Sequence, residues 1–188
     1  MKLKLSLFLF VIFFQVIFVQ RCVNYYEFPE NYIGKSKAEK KNPVILYYKV
    51  LNGTISGGST RLKDYLKRES PFIQTEQVDK IPEKGLYLNV NIQQRLPSIY
   101  TLIFGYLSVA TLTLLPVWSN EDGSDVLFQI YRDGQLEKSY EYPVRRSGFL
   151  WILMLPFAWV NAYTYSEAQA FEAIANKFFE DSAPVLQK

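Results

Sequence analysis

Histidine is absent from this 188-residue chain, and cysteine occurs once, at Cys22. The first absence removes the commonest general base and the commonest transition-metal ligand. The second excludes an internal disulfide and a thiolate metal cluster. Net charge is scarce too: 21 Lys and Arg against 18 Asp and Glu leave +3, interspersed along the chain, so nothing points to nucleic acid. What is plentiful is apolar. With 49% hydrophobic and 16% aromatic residues the chain is not disordered. Its length suits one domain plus an export segment, held by its core, by a membrane, or by both.

The N-terminus has an export layout. Lys2 and Lys4 precede LSLFLFVIFFQVIFV, a mostly apolar run ending at Val19. The run is short of the ~20 residues a spanning helix needs, so a signal peptide or a retained signal anchor over residues 1–21 are the two readings. Ordinary cleavage needs small residues, and between Val11 and Ile33 there is no Ala, Gly or Ser. Val19-Gln20-Arg21-Cys22 is similar to a bacterial lipobox, with an aliphatic residue at −3. Arg21 departs from the small residue expected at −1. Cys22 is thus the candidate lipid-attachment residue, and an unmodified thiol is the competing reading. Residues 22–42, with the lysine-rich GKSKAEKKNP, read as a polar tether to a domain over 43–188. On either reading the domain lies outside the cytoplasm.

Within the domain, PVILYYKVLNG (Pro43 to Gly53) is β-rich and apolar on both faces, which predicts a central strand. A glycine-rich loop follows, with Ser59 or Thr60 expected to cap a helix that buries Leu62, Tyr65 and Leu66. FIQTEQV reads as a short strand. GLYLNVNIQQR alternates cleanly, with Leu86, Leu88, Val90 and Ile92 on one side. DVLFQIYRDGQLEKSYEYPV predicts a hairpin around Asp133-Gly134. SEAQAFEAIANKFFED is an amphipathic helix with a Ser166/Gln169 capping box and a stripe of Ala168, Phe171, Ile174, Ala175 and Phe178. The order β-α-β-β, then β-β-α, predicts an α+β two-layer sandwich: an antiparallel sheet with two helices on one face.

This order resembles the small envelope lipoprotein domains of the TolB N-terminal and curli-secretion type, over Pro43 to Asp181. The segments TLTLLPVW, KSYEYPV and LWILMLPF also make the chain similar to an uncharacterised group of spirochaete and myxobacterial lipoproteins. That group has no established activity. The resemblance implies an envelope location and an architecture, and no catalytic residue.

Two apolar inserts do not belong in an ordinary sandwich. Leu96 to Ser119 is 24 residues without a charge, and Ser147 to Ser166 is 20. Both are long enough for a spanning helix. Single spans would strand the hairpin across the bilayer, where two strands alone are marginal in water. The favoured expectation is therefore that the inserts, at 96–119 and 147–163, are membrane-associated without spanning: they dip into the bilayer or pack together as a lobe. Residues 125–143 would then pair with Leu86–Ile92. Trp118, Trp151 and Trp159 are the expected interface aromatics, and Arg145 and Arg146 are expected to face lipid phosphates.

Other chemistry is not found. The loop around Gly53 to Thr60 lacks the lysine of a phosphate-binding loop. Without histidine the usual triad cannot form. Glu121, Asp122 and Asp125 lack the spacing of a calcium loop and read as a solvated turn. No cofactor, metal or small-molecule substrate is implied. The reading is a non-enzymatic cell-envelope lipoprotein whose partners are membrane lipid and an envelope protein. The alternative is a small integral membrane protein with two or three spans, serving as a subunit of an envelope or transport complex.

Overall fold

The computed structural model describes residues 23–34, 42–52 and 57–186. Its strands are β1 (Val23–Glu27), β2 (Leu46–Asn52), β3 (Thr75–Gln77), β4 (Leu86–Arg95), β5 (Val117–Arg132) and β6 (Gln135–Leu150). Its α-helices are α1 (Gly57–Arg68), α2 (Ile99–Ala110) and α3 (Glu167–Leu186), with 3-10 segments at Glu30–Tyr32 and Ile152–Ala162. The strands form one sheet in the order β1-β6-β5-β4-β2-β3. The chain divides into two compact units, and the long strands β5 and β6 each run from one into the other.

The larger unit comprises Tyr26–Leu96, Glu121–Arg146 and Tyr165–Lys188. Its centre is the expected pairing of β4 with the hairpin: Leu86 opposes Arg132 and Ile92 opposes Val126, antiparallel. The hairpin turns at Asp133 and Gly134, both at positive φ, the geometry that matches strand twist. Asp133 is also held from outside the turn. Its carboxylate accepts from the Gly85 amide at 2.8 Å, and its own amide donates to the Gly85 carbonyl.

The sheet is mixed, which corrects the expectation of an antiparallel one. β2 runs parallel to β4, with Leu46 opposite Leu86 and Asn52 opposite Ile92, and parallel to β3 as well. The cause lies in the connection. Parallel neighbours need a crossover of a dozen or more residues, usually helical, and α1 supplies it between β2 and β3. The apolar character of β2 on both faces belongs to this setting.

One core follows from the alternation. Leu46, Tyr48 and Val50 of β2, Leu86 to Ile92 of β4 and Val126, Phe128 and Ile130 of β5 bury a common row, together with Leu62, Tyr65 and Leu66 of α1. α3 closes it: the Phe178 ring stacks on Phe128 with centroids 4.3 Å apart. The capping box forms as read, the Gln169 amide donating to Ser166 Oγ and the Ser166 amide donating to Gln169 Oε1. Neither expected cap applies to α1, whose first residue is Gly57; Ser59 lies inside the first turn, buried. Gly58 sets the packing of this turn. A Cβ there would sit 2.5 Å from the Phe171 ring, so only glycine lets α1 approach α3 this closely. Residues 53–56 of the glycine-rich loop lie outside the described residues.

Between the two helices Arg61 donates to both Glu69 (2.7 Å) and Glu172 (2.8 Å), and the Tyr65 hydroxyl donates to Asn176 Oδ1 at 2.5 Å. Burial, with Glu69 and Glu172 nearby, pushes the Tyr65 phenol up to about 12. The stretch expected as a tether contains β1, at the sheet edge beside β6, and the 3-10 turn Glu30–Tyr32, whose Tyr32 carbonyl accepts from Asn176 Nδ2.

Two substitutions test this core. Phe178→Ala removes the ring between α3 and β5 and is expected to cost about 3–5 kcal/mol, a value typical for buried Phe→Ala. Gly58→Ala forces a methyl against Phe171 and is expected to cost about 1–3 kcal/mol by overpacking. Urea unfolding checks both; an unchanged midpoint for Gly58→Ala would mean that the two helices need no close approach there.

Candidate functional site

The second unit contains residues 23–25, Pro97–Asn120 and Ser147–Thr164 among those described. None of these last two stretches carries a charged side chain. α2 is capped by Ser98, whose hydroxyl accepts from the Thr101 amide at 3.2 Å. It runs for 12 residues and stops at a tight reversal in which Leu112 and Thr113 both take positive φ (52° and 61°). Bulky residues rarely adopt that conformation, so the turn is held from outside. The Thr113 amide donates to the Ser108 carbonyl at 2.6 Å, and the buried Ser108 hydroxyl donates to the Leu115 carbonyl at 2.7 Å. The Ile152 amide donates to the Thr113 carbonyl and the Trp151 indole to the Leu114 carbonyl, both at 3.0 Å.

This unit contradicts a pair of spanning helices. Among the described residues no helix is long and apolar enough to cross a membrane. The first insert breaks at the left-handed Leu112-Thr113 turn, and the second is a 3-10 segment containing Pro156. What the inserts make instead is an apolar surface. Along α2 the exposed residues include Ile99, Tyr100, Ile103, Phe104, Tyr106 and Val109, with Tyr106 78% exposed. At 100° per residue these positions cover about 220° of the circumference, and the remaining face carries Thr101, Gly105 and the buried Ser108.

The sequence-named residues fall into two groups. Trp118 (68% exposed) and Trp159 (62%) stand on the apolar unit, Trp159 edge-on to Tyr163, while Trp151 is half-buried by its bond to Leu114. Arg145 and Arg146 belong to the other unit and are engaged there in ion pairs: Arg145 donates to Asp125 Oδ1 at 2.7 Å and Arg146 to Asp122 Oδ2 at 2.5 Å. Cys22 lies outside the described residues, immediately before the first residue of β1.

The acids missed as partners are Asp122 and Asp125. They lie in β5 and not in a solvated turn, Asp122 is buried, and Arg95 also donates to Asp125 Oδ2 at 2.6 Å. A signal for this existed. Two acids before a hairpin and two arginines after it are cross-strand neighbours once the strands pair. Burial raises the Asp125 pKa, but the hydrogen bonds and charges of Arg95 and Arg145 outweigh it and leave the carboxyl below its usual value. Arg95, Arg145 and Arg146 thus have their charges answered within the unit.

No protein-family model matches the chain, and no curated protein matches it. Among solved structures the chain is similar to a minor lipoprotein from Acinetobacter baumannii at 14% identity, over 75% of this chain and 92% of that one, with a TM-score of 0.38. It is also similar to the PelC dodecamer from Paraburkholderia phytofirmans, at 11% identity and a TM-score of 0.27, over 80% of this chain and 98% of that one.

The Asp125 pairs give a pH signature. Because the folded pKa is lowered, their contribution is complete above the ordinary carboxylate pKa of ~3.9 and is lost as pH falls through the lower folded value. Asp125→Asn is therefore expected to lower the urea midpoint at neutral pH and to flatten the loss of stability below about pH 4. Parallel acid limbs in wild type and variant would remove Asp125 as a contributor.

Proposed function

We propose that this chain is a bacterial cell-envelope lipoprotein, anchored through acylated Cys22, whose α/β domain lies outside the cytoplasm. It acts by association with an envelope partner and not by catalysis. The observation that carries this reading is the position of Cys22. A basic start and an apolar run lead to the one cysteine, and the first strand of the sheet begins at the next residue. Diacylation holds a protein at a bilayer stably, at ~0.8 kcal/mol per buried CH₂, where a single chain does so only marginally.

The side chains support association over catalysis. Hydrolytic or acid–base chemistry without histidine would need activated carboxylates or a lysine. Here Asp122, Asp125 and Asp181 are each occupied by a cation: Arg146, the Arg95–Arg145 pair and Lys177. Asp181 also accepts from the Tyr142 hydroxyl at 2.7 Å, joining α3 to β6. These three acids build the fold.

Metabolic labelling with palmitate tests the anchor. Wild type is expected to incorporate label and to have a mature mass beginning at Cys22, while Cys22→Ala incorporates none. Equal labelling of the two, or a mature chain that still begins at Met1, would instead establish a signal anchor.

A further inference from the structure

The apolar unit is more than a loop excursion. α2 exposes large apolar side chains over more than half of its circumference, and no charge occurs anywhere in 96–119 or 147–166. An exposed apolar patch of this kind marks an interaction surface. The question is what covers it.

Three observations favour lipid acyl chains. First, several backbone groups of the unit are satisfied from within, which suits a water-free surrounding. The Ser108–Leu115, Thr113–Ser108, Ile152–Thr113 and Trp151–Leu114 bonds occupy carbonyls and amides of the two turns that water would otherwise serve. A patch that met a protein partner could leave those groups for that partner. Second, α2 is too short to cross. Twelve residues of α-helix measure about 18 Å, against about 30 Å for the hydrocarbon core. The excursion also closes on itself, because Arg95 at the end of β4 pairs with Gly123 of β5. Residues 96–122 therefore leave and return at one point, without crossing. Third, the unit is continuous with the proposed anchor. The amide of Asn24, two residues after Cys22, donates to Asn161 Oδ1 in the 3-10 segment at 3.2 Å.

We propose that α2, its Leu112–Leu115 turn and the 152–162 segment form a wedge buried in a single leaflet of the bilayer, with Trp118 and Trp159 among the acyl chains or at their upper boundary. The wedge deepens the lipoprotein reading, yet it does not require Cys22 to be acylated.

All three tryptophans of the chain, at 118, 151 and 159, lie in this unit, so their fluorescence reports it alone. The full chain is reconstituted in vesicles of phosphatidylcholine brominated either high on the acyl chain or near its end. Single-tryptophan forms keep Trp118 or Trp159, with the others changed to Phe. The expected result is strong quenching by bromine high on the chain and weak quenching by bromine near its end. Phe104→Glu should reduce that quenching several-fold with an unchanged far-ultraviolet circular dichroism spectrum. Equal quenching by the deep label would mean a crossing and overturn the wedge. Unquenched tryptophans overturn it too, and if the protein is then a defined oligomer the surface belongs to a second copy. Intact mass of the same samples separates the two readings. Quenching without acylation defeats only the lipoprotein assignment, and acylation without quenching defeats only the wedge.

Discussion

The stacking of Phe178 on Phe128 is the contact on which the larger unit depends. It joins the last helix to a strand of the hairpin, and α3 meets α1 at Gly58 and at Arg61. The β2-α1 half and the hairpin half are thus tied both across the sheet, through β4, and over it, through α3. Each large side chain buried there contributes about 1.5–3 kcal/mol. The polar bonds around the rim, from Tyr142 to Asp181 and from Tyr65 to Asn176, set orientation more than they add to that sum.

How much of this was legible in the sequence depended on whether the deciding force was local. The Ser166–Gln169 cap, the Asp133-Gly134 turn, the alternation of Leu86 to Ile92 and the buried face of α1 all rest on short-range rules, and all are present. The pairing of β4 with β5 is non-local, but it was reachable, because a hairpin needs a third strand. The direction of β2 was not. Its apolar character on both faces was read as that of a central strand, which either direction allows, and the crossover through α1 decides between them. The start of α1 was also missed, and the need for glycine at 58 comes from a ring on α3 that lies 113 positions away in the sequence.

The candidate site divides in the same way. Trp118 and Trp159 stand exposed on the apolar unit. Arg145 and Arg146 were read by their nearness in sequence to an apolar run, when their cross-strand acids were the closer neighbours. The apolar inserts were long enough to span by length alone. Length did not reveal that two consecutive left-handed residues and an internal proline would fold them short. Composition marked this unit as apolar, and backbone geometry decided its shape.

The closing position of α3 has a consequence for the life of the chain before it is folded. The row of Val126, Phe128 and Ile130 has its helical cover only once Phe171, Ile174 and Phe178 have been synthesised, and most of the ladder joins residues tens of positions apart. Contacts of such high sequence separation form slowly. A stable core therefore waits until α3 has been synthesised. For a chain exported as an extended thread, as proposed above, late closure would keep it threadable until it has crossed.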